Sequence, residues 1–220
     1  MLFISVYFSF VKHVRTNKTV NCSVSIHCGR TREKMNRRIL ETERLVLRPW
    51  REEDASDLYE YAKDPRIGPV AGWIPHTDVE HSLRIIREIL FSDGTFAVVL
   101  KKEDIAIGSI GLSMGSKSSI NLGDGEASVG YWIGVPFWGL GLITEAACEV
   151  IKYAFNDLSI STLWSGYFDG NERSKRVQEK CGFVYHRTEY NKKHPGREDV
   201  VTQHISCLTK EEWISLSEQI

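Results

Sequence analysis

The chain has 220 residues, and its 28 Lys and Arg against 29 Asp and Glu leave a formal charge of −1, which excludes a general nucleic-acid binder held by phosphate neutralisation. That length is long for one ordinary domain and short for two, so one domain with an appendage is expected. The five cysteines, Cys22, Cys28, Cys148, Cys181 and Cys207, are an odd number with neither C-x-x-C nor Cys/His ligand spacing; free thiols in a reducing cytoplasm are expected.

In chain order, residues 1–34 are the appendage. Their apolar run, 1–11, is shorter than the roughly 20 residues that span a bilayer, and it lacks the charge and cleavage pattern of a secretory signal. Residues 1–34 are read as a disordered extension or as preceding the native start, with Met35 as that start and 35–220 as a single domain; a weak membrane-interface anchor is the other reading of 1–34. Leu45, Val46 and Leu47 form a strand, and 54–62 a helix with Ala55, Leu58, Tyr59 and Ala62 on one face, ended by Asp64-Pro65. A loop, 68–76, precedes a second helix capped by Thr77 or Asp78 and carrying Leu83, Ile86 and Leu90.

Strands are expected at 95–100, 105–112 and 126–135, with the Ser/Gly-rich stretch 115–125 as a mobile hairpin loop. Leu142, Ala146, Val150 and Ala154, flanked by Ile143, Ala147, Ile151 and Phe155, make the wide apolar stripe of a helix packed on a sheet. A strand at 162–168, a helix from Asn171 and a hairpin of 184–190 with 200–206 complete a mixed α+β pattern. Cys148 and Cys181 are expected on inner helix faces.

Two segments carry chemistry. In Tyr131-Trp132-Ile133-Gly134-Val135-Pro136-Phe137-Trp138-Gly139-Leu140-Gly141-Leu142-Ile143-Thr144, a buried strand meets two glycines and passes straight into a helix. Glycine lets the backbone take positive φ and lets an anion approach the amides, at which the helix N-terminus also aims its open N–H groups. Gly141 is followed by neither the third glycine of a dinucleotide fingerprint nor the lysine of a P-loop. The second segment, Asn171-Glu172-Arg173-Ser174-Lys175-Arg176-Val177-Gln178-Glu179-Lys180-Cys181-Gly182-Phe183, is a short helix with Asn171 as N-cap and Gly182 as stop. Arg173, Lys175 and Arg176 crowd its first turns, where the macrodipole disfavours cations unless an anion is bound; the same run also reads as a solvated face screened by Glu172 and Glu179.

Together these segments resemble the acetyl-CoA-binding signature of the GCN5-related N-acetyltransferases (GNAT), and within them the branch acting on ribosomal-protein N-termini. The resemblance spans 39–213 and includes Leu40-Glu41-Thr42-Glu43-Arg44-Leu45-Val46-Leu47-Arg48-Pro49-Trp50 as a first strand. Pro136 stands where the superfamily loop begins with Gln or Arg, which removes one N–H from the cradle. The resemblance implies a mostly antiparallel sheet with a splayed parallel pair and about four helices, acetyl-CoA as co-substrate, no metal, and cytoplasmic location. It implies that backbone groups of Ile133, Gly134 and Val135 meet the pantetheine, and that amides of Trp138, Gly139, Leu140, Gly141, Leu142, Ile143 and Thr144 hold the pyrophosphate. Asn171 lies on the other wall with Ser174 near the sulfur, and Lys175 or Arg176 meets the adenosine phosphate.

Acyl transfer needs a neutral amine, and an alkylammonium is mostly protonated at neutral pH. Glu126 is the candidate base, acting through water past Ser128, where the branch carries a glutamate; its other reading is a surface residue at a strand start. Ser174 is either a donor to the departing thiolate or a capping residue. Trp73 and Tyr167 are read as walls of an acceptor slot or as packing, His76 as a second base or a solvated loop residue, and the basic tip 191–197 as a contact for an acidic partner. The acceptor is a protein N-terminal α-amine, on a ribosomal protein for instance, or a small amine; the chain is a monomer or homodimer that binds neither nucleic acid nor membrane. A catalytically degenerate CoA-binding sensor or partner module is the alternative function, and a nucleotide or phosphate module built on Gly139 and Gly141 a third.

Overall fold

The computed structural model describes residues 38–194 and 199–218; the appendage, Met35 and residues 195–197 of the basic tip lie outside them. The strands are β1 (Leu40–Glu41), β2 (Leu45–Arg48), β3 (Thr95–Leu100), β4 (Ile105–Met114), β5 (Glu126–Ile133), β6 (Thr162–Phe168), β7 (Val184–Lys193) and β8 (Val200–Thr209). The helices are α1 (Ala55–Ala62), α2 (Gly68–Ala71), α3 (Val79–Ile85), α4 (Leu142–Asn156), α5 (Glu172–Lys180) and α6 (Lys210–Ser217). One eight-stranded sheet runs in the order β1-β2-β3-β4-β5-β6-β8-β7. Its neighbours are antiparallel except β5 and β6, the parallel pair joined through the crossover helix α4.

Burial on both faces explains why β3 reads as a continuous apolar run. Phe96 and Val98 pack with the α4 stripe of Ala146, Val150, Ile151 and Phe155. Ala97 and Val99 face Trp50, Leu58, Ile86 and Trp132 on the side of α1 and α3. Cys181 is buried as expected, but Cys148 falls off the α4 stripe and is exposed.

Six helices flank the sheet among the described residues, where about four were expected. The first addition, α2, lies in the stretch read as a loop, because Gly68-Pro69 and Gly72 look like turn residues. Pro69 occupies the first turn, where no N–H is needed, and Gly72 ends the helix at φ 95°. Gly68 has no substitute, since a Cβ there would lie 2.7 Å from the Trp73 carbonyl. The second addition, α6, is held by a capping box between Thr209 and Glu212. Asp78, rather than Thr77, caps α3 by accepting from the His81 N–H at 2.7 Å.

The stretch 115–125 is pinned to the sheet by buried Ile120 and by a 2.8 Å contact between the Ser118 and Ser128 hydroxyls. No helix among the described residues is long and apolar enough to cross a membrane.

Candidate active site

Strands β5 and β6 pair only at Glu126 with Thr162, Ala127 with Leu163 and Ser128 with Trp164. Beyond that point β5 stays with β4 as far as Ile133, and β6 stays with β8 as far as Phe168, so a gap opens in the middle of the sheet. The Gly134 N–H donates to the Ile107 carbonyl at 2.8 Å, and this sets the ladder phase: the backbone groups of Tyr131 and Ile133 point away from β4, into the gap. Two carbonyls on that edge are already engaged. Ser165 Oγ donates to Val129 at 3.2 Å and Trp138 Nε1 to Ile133 at 3.0 Å.

The gap leads to the glycine turn. Gly139 and Gly141 take φ of 78° and 77°, the left-handed region open to glycine, and a Cβ on Gly139 would meet no protein atom within 4 Å. Helix α4 starts without a side-chain cap, and the N–H groups of Gly139 through Thr144 have no partner among the described residues. Open N–H groups at a helix start form an anion site. The Trp138 N–H is not one of them, because it donates to the Val135 carbonyl at 3.1 Å in a 3-10 turn.

The turn is anchored from a distance by a residue whose role the sequence did not show. Arg44 Nη1 donates to the Leu140 carbonyl at 3.1 Å, while its Nε and backbone N–H hold Glu145 at 2.7 and 2.9 Å. Burial pushes the Glu145 carboxyl up, but hydrogen bonds from Thr42 and Arg44 outweigh it and hold the group below its ordinary value. The anchor thus ties the opening strand to the first turn of α4.

Helix α5 forms the opposite wall. Asn171 Oδ1 caps it by accepting from the Ser174 N–H at 3.2 Å, which leaves the Asn171 amide nitrogen for the cleft. Tyr131 reaches across the gap: its hydroxyl donates to the Ser174 carbonyl at 3.0 Å and lies 3.2 Å from Ser174 Oγ. Burial pushes the Tyr131 hydroxyl pKa upward, so it stays a protonated donor. Arg173, Arg176, Val177 and Lys180 line the cleft at helical spacing. The guanidinium of Arg173 lies over the Trp138 ring at 4.2 Å, joining the two walls. Lys175 faces outward beside Glu172.

The resulting cleft of about 480 Å³ passes through the sheet to Arg66, Ile67, Val70 and Ala71 around α2. Four cations line it, Arg66, Arg173, Arg176 and Lys180, with no carboxylate or histidine among the described lining residues.

The residues expected to select the acceptor lie elsewhere. Trp73 is buried edge-on against Trp132 at 5.4 Å, and Tyr167 is buried against the His204 ring at 5.0 Å. His76 is a core residue, its Nδ1 2.8 Å from Ser82 Oγ and its ring 4.7 Å from that of His81. Glu126 stands at the closed end of the β5–β6 pair, with its carboxylate accepting the Gly123 N–H at 2.7 Å. Ser128, two residues further along β5 and bonded to Ser118, is fully buried between Glu126 and the start of the gap. Of the basic tip, His194 Nε2 donates to the Pro69 carbonyl at 2.8 Å, which ties the hairpin to α2.

His76 carries a pH prediction. Burial, with the His81 charge beside it, pushes its pKa from 6.5 down to about 4. The stability linked to this group is therefore present above pH 6.5 and lost as pH falls through the folded value; the full difference is about 3 kcal/mol. Urea unfolding between pH 7 and 4 will show the loss, and His76→Gln will flatten that part of the profile.

A gap between two parallel strands opens on a glycine turn with uncapped amides and has a basic helix as its far wall, an arrangement whose chemistry suits an extended anion. The model of the acetyltransferase (GNAT) domain matches residues 44–184, and the chain belongs to that family. The uncharacterized N-acetyltransferase p20 of Bacillus licheniformis is 34% identical over 149 residues, 66% of this chain and 81% of its own. The fold is shared with the ribosomal-protein-S5-alanine acetyltransferase of Vibrio fischeri, at TM-score 0.61 and 20% identity, over 80% of this chain and 98% of that one. It is shared also with the microcin C7 self-immunity acetyltransferase MccE, whose structure holds acetyl-CoA and AMP, at TM-score 0.62 and 18% identity over 76% and 93%.

Proposed function

We propose that the chain transfers an acetyl group from acetyl-CoA to a primary amine by direct attack in a ternary complex. The observation that carries this reading is the gap between β5 and β6 opening onto uncapped amides, with four cations and no carboxylate among the described residues that line the cleft. The amides of Gly139 through Thr144 hold the diphosphate. The Tyr131 and Ile133 N–H groups and the Asn171 side chain meet the pantetheine, as do Gly134 and Val135 at the end of β5. Arg176, with Arg173 beside it, takes the adenosine phosphate in place of Lys175. Bound acetyl-CoA supplies an activated acyl group and a thiolate leaving group; Ser174 Oγ, 3.2 Å from the Tyr131 hydroxyl, turns its proton from that oxygen to the thiolate as charge develops there.

The described lining holds no carboxylate or imidazole base, and this favours one acceptor class. An α-amine with a pKa near 8 is partly neutral at physiological pH, whereas a lysine amine near 10.4 is almost wholly protonated. The acceptor is therefore an α-amine, on a protein N-terminus or a small molecule, that loses its proton to water. The same lack of a base supports the second reading, a CoA-binding sensor without turnover.

Acetyl-CoA incubated with peptides bearing free N-termini, or with blocked N-termini and a free lysine, will separate these readings by release of CoA. Turnover with the first set only, cut about 100-fold in kcat by Ser174→Ala and unchanged by Glu126→Gln, is the expected result. Binding without CoA release from any amine would leave the sensor, and ATP displacing acetyl-CoA with equal strength would leave a nucleotide module.

A further inference from the structure

Behind the cleft, two thiols from different helices meet. Cys148 Sγ on α4 lies 3.9 Å from Cys181 Sγ at the C-terminal cap of α5. Cys148 is exposed and Cys181 is 8% exposed, so one sulfur is open to a solution oxidant and the other is sheltered directly behind it. We propose that Cys148 and Cys181 form a reversible thiol oxidation site, in which a peroxide closes a disulfide that links α4 to α5.

The roles of the two sulfurs follow from their surroundings. The hydrogen bond from Cys181 brings the Cys148 thiol down to about 7, against the effect of burial, so Cys148 is the thiolate that attacks. That hydrogen bond and burial push the Cys181 thiol up, so Cys181 keeps its proton until the second step. Cys148 thiolate attacks one peroxide oxygen, the O–O bond breaks, and the departing hydroxide takes up a proton as water, leaving a sulfenic acid. Cys181 sulfur then attacks the sulfenic sulfur, the S–O bond breaks, and the hydroxide leaves with the Cys181 proton as a second water. Two thiols have lost two electrons and the peroxide has gained them. The sulfurs must approach by about 1.9 Å to reach the disulfide length of about 2.05 Å.

That movement falls on the ligand cleft. Thr144, one turn before Cys148, and Lys180, next to Cys181, both line it. Drawing the end of α5 toward α4 narrows the cleft between them. This consequence rests on the acetyl-CoA reading above; formation of the disulfide does not.

The test treats the full chain with a small excess of hydrogen peroxide and maps its peptides without reduction. The expected product joins the Cys148 and Cys181 peptides with loss of two hydrogens, reverts with dithiothreitol, is absent from Cys148→Ser, and persists in Cys207→Ser. Cys148 recovered as a sulfinic acid, or linked to Cys22, Cys28 or Cys207 instead, would overturn the proposal. Calorimetric titration of acetyl-CoA into reduced and oxidised protein reads the consequence: about tenfold weaker binding after oxidation is expected, restored by dithiothreitol and missing in Cys148→Ser. Equal binding by both forms would overturn the coupling to the cleft, whereas no binding even by reduced protein would overturn the acetyl-CoA reading and leave the peptide map to decide the disulfide.

Discussion

A Gly139→Glu variant loses acetyl-CoA binding while remaining folded. Gly139 sits at φ 78° with open space where a Cβ would project, so the first atom of the new side chain meets no protein atom and the fold bears a backbone strain of about 1–2 kcal/mol. Its carboxylate enters the same space as a diphosphate held on the N–H groups of Gly139 through Thr144. Two unit charges about 4 Å apart at a protein surface repel by about 4 kcal/mol, which corresponds to roughly a thousandfold in affinity. Gly139→Ala separates the terms, since it carries the strain without the charge. The two variants and the wild type should differ by calorimetric titration in the order wild type, alanine, glutamate, with similar circular dichroism. Wild-type affinity in the glutamate variant would show that the ligand does not use this turn.

Asp54→Ala should cost about 3–5 kcal/mol of stability, the second large effect. Arg48 and Asp54 are each 5% exposed and meet through two parallel contacts of 2.7 and 2.8 Å. Asp54 Oδ2 also accepts the Arg51 N–H at 2.8 Å. The hydrogen bond to Asp54 outweighs burial and raises the Arg48 pKa; without Asp54 that support is lost and burial lowers it, but a guanidinium's ordinary value lies so far above neutral that the group stays charged. The variant therefore carries an uncompensated buried cation at the joint between β2 and α1. Urea unfolding should show a lower midpoint at unchanged slope. The double variant Arg48→Met, Asp54→Ala should recover much of the loss, because it removes the stranded charge as well. A loss below about 1 kcal/mol in the single variant, the size expected of an exposed pair, would contradict this account.

Much of the architecture was legible in local chemistry. Asn171 caps α5, Gly182 ends it at φ 88°, and the two glycines before α4 adopt the positive φ that their spacing implies. Apolar periodicity located α4 and the strands, although β5 stops at Ile133 because Pro136 enters a 3-10 turn. Reading α2 as a loop had a local cause, since Gly68, Pro69 and Gly72 serve a four-residue helix as readily as a turn.

Short stretches of chain set the elements, the glycine turn at the start of α4 and the basic face of α5, because caps, periodicity and positive φ depend on residues within about four positions of one another. Which side chains share a cleft depends instead on how the layers pack. The parting of β5 and β6 after Ser128 leaves Glu126 at the closed end, while register across the sheet and its helices brings Tyr131 to Ser174, Arg44 to Glu145 and Cys148 to Cys181. Contacts with α1, α3 and β5 turn Trp73 and His76 from loop residues into core, Trp73 against Ala62 and Trp132 and His76 against Ala62 and Ser82. Such meetings join residues far apart in the chain, and they are set by strand register and the packing of whole layers, which no short stretch of sequence encodes.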